Sequence, residues 1–187
     1  MNKTSFFALV KPAALAASST SGLLPGVSIA QAALESEWGD SKLATECNNY
    51  FGLTNIGDAK SKVWQTEEYM TDLEMQREVG NGVIVRIIKT GPANAVGVRR
   101  FEVMRRFGAW STVQANFIAR DDLINNALVY VAARIVKRNP IAFMAALCRH
   151  WATDPRYFLN LSEIYQQNGY DLLDKQWLNG GSNGGRY

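Results

Sequence analysis

The sequence predicts a mostly helical α+β domain, and three observations carry that expectation. Apolar residues recur at helical spacing through the first forty or so residues. A central stretch, Lys62 to Arg100, turns to β-branched and aromatic residues. After Phe101 the helical spacing returns and persists. The chain has 187 residues, of which 47% are hydrophobic and 20% charged, enough for one domain with a real core. We read 1–178 as that domain, about 60–100 as its β lobe and 179–187 as a flexible tail. Its cleft is expected between the helical body and the β part.

The elements follow in order. Ser5 to Ser18 reads as an amphipathic helix of the mature protein; a cleaved signal peptide is the alternative, but Lys11-Pro12 interrupts the apolar run. Pro25-Gly26 leads into a second helix through Val27, Ala30, Ala33 and Leu34, with Gly39 placed to stop it. "ECNNYFGLTNIG" has the asparagine, glycine and aromatic content of an ordered loop. "KVWQTEEYM" and "GVIVRIIK" are expected to form a small antiparallel sheet or hairpin. "DDLINNALVYVAARIVKRNP" reads as one helix with acids at its start and Lys137 and Arg138 at its end. "PIAFMAALCRHW" is another, and Thr153-Asp154-Pro155 opens a last one that stops at Asn168-Gly169.

A formal net charge of +3, with bases scattered apart from Arg99, Arg100, Arg105 and Arg106, gives a weak attraction to polyanions such as a cell envelope and does not point to nucleic acid. No apolar run is long enough for a membrane span. Cys47, Cys148 and His150 do not make a four-ligand zinc site, so no metal or cofactor is expected, and a disulfide is open.

Two acids stand out in "IAQAALESEWGDSKLA". On a helix Gln31, Glu35 and Trp38 share a face, whereas Glu37 points about 160° away from Glu35. The pair therefore does not act together. Leu34 and Trp38 would give Glu35 an apolar wall, and partial desolvation would let it hold a proton near neutral pH, as a general acid must. A surface acid bonded to the next loop is the plain alternative.

This segment, with "NNYFGL" after it, resembles the Ala-x-x-Glu-Ser-x-Trp-Gly and Asn-x-Phe-Gly motifs of glycoside hydrolase family 73, the peptidoglycan N-acetylglucosaminidases that include the flagellar rod hydrolase and several autolysins. "TEEYM" is similar to the family's Thr-Glu-Tyr strand, and "KRNP" and "ATDPRYFLNL" to its later Arg-Asn-Pro and Ala-Thr-Asp-Pro-x-Tyr segments. The resemblance runs from about Phe6 to Tyr170 with the motifs in order.

The resemblance implies a lysozyme-like fold with a small β lobe flanking a glycan groove. It implies that Glu35 protonates the glycosidic oxygen at the β-1,4 bond after N-acetylglucosamine, through an oxocarbenium-like state. It implies a second carboxylate in the β lobe: the acid before Tyr69 is Glu68, and Glu67 is the alternative, since a one-residue bulge would exchange their faces. Asn49, Phe51 and Gly52 match the groove loop, and Tyr157 the tyrosine after Asp-Pro. With them, Gln31, Trp38 and Trp151 are the expected substrate contacts, Trp151 standing where the family commonly has tyrosine. Thr54 and "FEVMRRF" depart from the family pattern. Peptidoglycan glycan strands are the implied partner. Without wall-binding repeats or a clear signal, the setting reads as a phage lysin or an injected antibacterial effector acting in the periplasm or cell wall of a target bacterium. An effector would have an immunity protein that occludes the groove. A muramidase, a thiol hydrolase built on Cys148 or Cys47 with His150, and a non-catalytic glycan- or protein-binding module on the same fold are the other readings.

Overall fold

A computed structural model describes residues 1–54, 61–152 and 154–180. Helix α1 (Lys3–Ser21) begins where the Asn2 side chain accepts from the Ser5 amide at 2.8 Å and ends at Gly22, φ 68°. It runs through Pro12, which lies on the exposed side, and buries Phe6, Val10, Ala14 and Ala17.

Helix α2 (Pro25–Glu35) is the centre of the molecule: every residue from Pro25 to Ala33 is buried. Its many small residues let α1, α8 (Tyr157–Gln167) and α9 (Tyr170–Gly180) close around it. A helix apolar on all sides belongs in a core, but its first amides must still find acceptors. Leu24 at the N-cap offers none. Asp174 of α9 supplies them instead, accepting from the amides of Gly26 at 2.6 Å and Val27 at 3.2 Å, with the Tyr165 hydroxyl donating to it at 3.1 Å. Gly26 is required here because a Cβ would stand 2.3 Å from the Tyr170 carbonyl oxygen and 2.9 Å from the Asp174 carboxyl.

The helix stops earlier than expected. After Glu35 the Ser36 hydroxyl turns back to the Ala32 carbonyl at 2.6 Å and accepts from the Gly39 amide at 2.9 Å. Glu37, Trp38 and Gly39 then take positive φ of 53°, 58° and 83°. The chain is therefore turned sharply just past Glu35, and the helical alignment of Trp38 with Glu35 does not hold. After the short α3 (Lys42–Cys47), the buried Asn49 side chain ties the loop to the β part, donating to the Leu53 carbonyl at 2.9 Å and the Gly108 carbonyl at 3.0 Å.

The β lobe has three strands rather than a hairpin: β1 (Ser61–Thr71), β2 (Ile84–Ala93) and β3 (Val98–Gly108), antiparallel in the order β1-β3-β2. The segment after Phe101, read as the start of the helical return, is the central strand, so the lobe extends to Gly108. The short helix α4 (Asp72–Gly80) starts on a capping box in which Thr71 and Glu74 satisfy each other's backbone amides. It seats Met75 on Ile84, Phe101 and Val103 to form the lobe's own small core.

The expected long helix of 121–140 is also broken. Helix α5 (Val113–Asn126) ends at Ala127, which is extended at φ −74°, ψ 133°. Arg134 donates to the freed carbonyls of Ile124 and Ala127 at 2.7 and 2.8 Å. A 3₁₀ turn (Leu128–Tyr130), α6 (Val131–Ile135) and α7 (Pro140–Trp151) follow. Thr153 and the tail from 181 lie outside the described residues.

Burial pushes the Asp174 carboxyl up to about 6, from an ordinary value near 3.8. With the folded value above the unfolded one, its contribution to stability is full below the unfolded pKa and is lost as pH rises through about 6. Asp174→Asn is expected to flatten the melting temperature between pH 4 and 7. Gly26→Ala is expected to cost about 1–3 kcal/mol by overpacking, a fall of several degrees by calorimetry.

Candidate active site

Glu35 is the last residue of α2, so its carboxyl emerges from the core at the edge of a groove of about 680 Å³. Two donors hold one of its oxygens. The Trp151 indole Nε1–H reaches Oε1 at 2.8 Å from the end of α7, and the Tyr157 hydroxyl donates to the same oxygen at 2.5 Å from the start of α8. Desolvation raises the Glu35 pKa above the ordinary carboxylate value, and the two hydrogen bonds, which favour the ionised form, offset this only in part. Tyr157 is driven the same way: burial first, and then the Glu35 charge, hold its phenol protonated. The group is thus a carboxyl that keeps its proton at higher pH than a surface glutamate, open to solvent on one side.

The opposite wall of the groove is the β lobe. The β1–β3 register is regular, with Glu67 opposite Glu102 and Glu68 opposite Phe101, and the bulges fall in the β2–β3 pairing instead. Alternation therefore sends Glu68 into the groove with Phe107 and Arg105, while Glu67 lies on the outer face, paired with Arg100. Arg105 makes a two-armed clamp: Nη1 sits 3.0 Å from Glu68 Oε2 and Nη2 sits 3.2 Å from Glu78 Oε2. Thr66 adds a hydrogen bond of 2.9 Å to the other oxygen of Glu68. Arg105 meets both acids as ion pairs, and Glu68 is the better bound of the two because Thr66 also donates to it.

The structure distributes the expected contacts unevenly. Glu35, Glu68, Phe51, Gly52, Trp151 and Tyr157 line one groove. Three others do not line it. Trp38 packs edge-on against Phe6, with ring centroids 5.5 Å apart, under the Lys3 ammonium. The apolar wall expected of it is supplied by Trp151 and Tyr157. Gln31 is fully buried behind Glu35, and Asn49 is a buried tie between loop and sheet. Both are therefore supports rather than sugar contacts. Cys47 and Cys148 are free buried thiols, and burial raises the pKa of both, that of Cys148 to about 11, the opposite of what a thiolate nucleophile needs.

Sequence reasoning passed over Arg105, Glu78 and Arg120. The two arginines left a trace: Arg105 interrupts an apolar row with Phe101, Val103 and Phe107, and Arg120 shares a helix face with the buried Phe117 and Ile124. A cation on an apolar face is a signal that a buried partner exists.

A helical body, a small antiparallel lobe and a partly buried carboxyl on the groove between them define a lysozyme-like fold. The chain belongs to the glucosaminidase family: the model described as mannosyl-glycoprotein endo-β-N-acetylglucosaminidase matches residues 11–170. A probable N-acetylmuramidase of Lactococcus lactis subsp. lactis (strain IL1403) is 30% identical over 167 residues, covering 89% of this chain and 34% of that protein. The chain thus spans about a third of the length of this curated relative. Among solved structures, the catalytic domain of the autolysin Auto from Listeria monocytogenes aligns with a TM-score of 0.68 at 22% identity, covering 92% of this chain and 87% of that one. A type VI secretion system effector–immunity complex from Pseudomonas protegens aligns at 0.50 and 17% identity, covering 90% and 92%. At these identities the structural likenesses speak for the fold alone.

Trp151→Phe keeps the ring and deletes the indole donor. The Glu35 pKa is expected to rise further, read as a shift of its carboxyl titration to higher pH by ¹³C NMR.

Proposed function

We propose that the protein hydrolyses the glycan strand of peptidoglycan, cleaving the β-1,4 bond after N-acetylglucosamine with Glu35 as general acid and Glu68 as the second carboxylate. The observation that carries this reading is the pairing across one groove of a desolvated carboxyl, held by Trp151 and Tyr157, with an arginine-clamped carboxylate on the facing lobe. Glycosidase chemistry asks for two acids in unlike environments. Glu35, whose pKa is raised, delivers its proton to the leaving oxygen as the bond breaks. Glu68, in its ion pair with Arg105, faces the positive charge that develops on the sugar and can orient water on the far side of the ring. Its place on the opposite lobe suits water activation better than direct attack, since attack needs closely spaced carboxyls. Phe51 and Trp151 give aromatic surface for sugar faces. Family membership supports the glucosaminidase assignment, and the muramidase name carried by a relative supports a second reading, cleavage after N-acetylmuramic acid.

Muropeptide mass spectrometry separates the two by the new reducing end. We expect reducing N-acetylglucosamine; reducing N-acetylmuramic acid selects the muramidase, a cut peptide bond overturns both, and binding without turnover selects a non-catalytic module. Glu35→Gln is expected to lose on the order of 100- to 10,000-fold in kcat/KM. Glu68→Gln should lose roughly 100-fold, while Glu67→Gln, which breaks only an exposed ion pair, should stay within about twofold of wild type.

For the setting we propose action in the periplasm or wall of a bacterium, as a phage lysin or an antibacterial effector. A protein from a type VI effector–immunity complex shares this fold, so the fold admits the effector reading. Growth arrest when the protein is sent to the periplasm, relieved by a neighbouring gene's product, is the expected result; arrest with no such relief selects the lysin.

A further inference from the structure

Behind Glu35 lies a chain of hydrogen bonds whose direction is set at its far end. Arg120 of α5 has no exposed surface. Its Nη1 donates to Ser28 Oγ at 2.8 Å and to Asp121 Oδ1 at 2.7 Å, and Asp121 is itself held by the Ser21 hydroxyl at 2.6 Å. Its Nε and Nη2 both donate to Gln31 Oε1, at 3.0 and 2.7 Å. A guanidinium has donors only. Gln31 must therefore turn its carbonyl oxygen to Arg120 and its NH₂ group to Tyr157, whose hydroxyl oxygen lies 3.3 Å away. That oxygen accepts from Gln31, so the single phenolic proton goes to its other neighbour, Glu35 Oε1. Trp151 Nε1, again a donor only, meets the same atom. Among the described residues both donors fall on Oε1 and none on Oε2.

We propose that Arg120 is a positioning residue which, through Gln31 and Tyr157, confines the proton of neutral Glu35 to Oε2, the oxygen left free of donors. A proton on Oε1 would have to displace two donors that have no other acceptor in a buried site, at the full cost of leaving them unpaired. With the phenol free to rotate, neutral Glu35 could instead hand its proton to the Tyr157 oxygen in a hydrogen bond that points away from the groove. The Gln31 amide fills that position. This deepens the functional reading above and rests on it: the relay keeps the acid's proton on the substrate side. The other titratable or charged groups facing Glu35 are Cys148 and His150 from α7, Tyr130 from the 3₁₀ turn and, across the groove, Glu68, Glu78 and Arg105. None of them carries a hydrogen bond to Oε1.

Infrared difference spectra across the Glu35 titration test the relay without turnover, with Glu35→Gln assigning the band. The wild-type acid is expected to show a C=O stretch lowered by two donors. In Gln31→Met, which keeps the shape and removes the amide, the band should move up. The alkaline limb of kcat/KM should shift to higher pH, because neutral Glu35 gains an acceptor, and the plateau should fall about tenfold, equivalent to ~1.4 kcal/mol. Adding Gln31→Met to Tyr157→Phe should move neither limb nor band further. Arg120→Lys, which keeps a cation beside Asp121 but supplies fewer donors to Gln31, should fall between wild type and Gln31→Met. An unbonded carbonyl stretch in the wild type overturns the proposal, as does a Gln31→Met effect of equal size with and without the Tyr157 hydroxyl. The wild-type band decides even if the variants do not fold. Absence of peptidoglycan cleavage by the wild type would sink the functional reading while the band still reports on the relay.

Discussion

A helix buried on every side is the constraint on which the rest of this molecule depends. Because α2 has no face in water, everything polar about it must be satisfied by other elements. Its first amides are met by Asp174 from α9, which forces Gly26 and draws the C-terminal helices over it. Its interior polar groups, Ser28 and Gln31, are met by Arg120 from α5. Only over its last two residues, Leu34 and Glu35, does the helix come to the surface. The acid is thus fixed by the same packing that closes the core, and its position does not depend on the loop that follows.

The electrostatics of the groove follow from the contrast between its walls. On the helical side the carboxyl is desolvated and its hydrogen-bond donors are few, which favours the proton. On the β side the Arg105 guanidinium sits between Glu68 and Glu78, an arrangement that binds β3 to β1 and α4. Two glutamates of the same chemistry thus meet different surroundings across one groove. Asn49, spanning from the groove loop to the Gly108 carbonyl, links the walls at their common base.

Much of this was legible in the residues. The N-terminal helices, the start at Pro25-Gly26, the loop at Asn49 to Gly52 and the position of Glu35 all rest on local rules of periodicity, capping and turn chemistry. The capping-box pattern in "TDLE" was present too and announces α4 without any tertiary information. Other features misled for identifiable reasons. "FEVMRRF" is the central strand because it is covered by neighbours on both edges and by Met75, and pairing across a sheet leaves little trace in one strand read alone. The helix expected over 121–140 breaks because Arg134 offers donors to carbonyls at Ile124 and Ala127, a side-chain rescue that periodicity does not register.

By itself, then, the sequence determined the fold class and the helix that carries the acid, because these follow from spacing along one chain, whereas Glu37 is parted from Glu35 by the turn that ends the helix and not by the helical angle expected. Tertiary structure decided which groups surround that acid. Trp38 left the groove because three consecutive positive-φ residues turn the chain after Glu35, and Trp151 and Tyr157 took its place from helices more than a hundred residues away. It also decided between Glu67 and Glu68, since alternation separates neighbours but only an unbulged register against β3 settles which of them meets the groove.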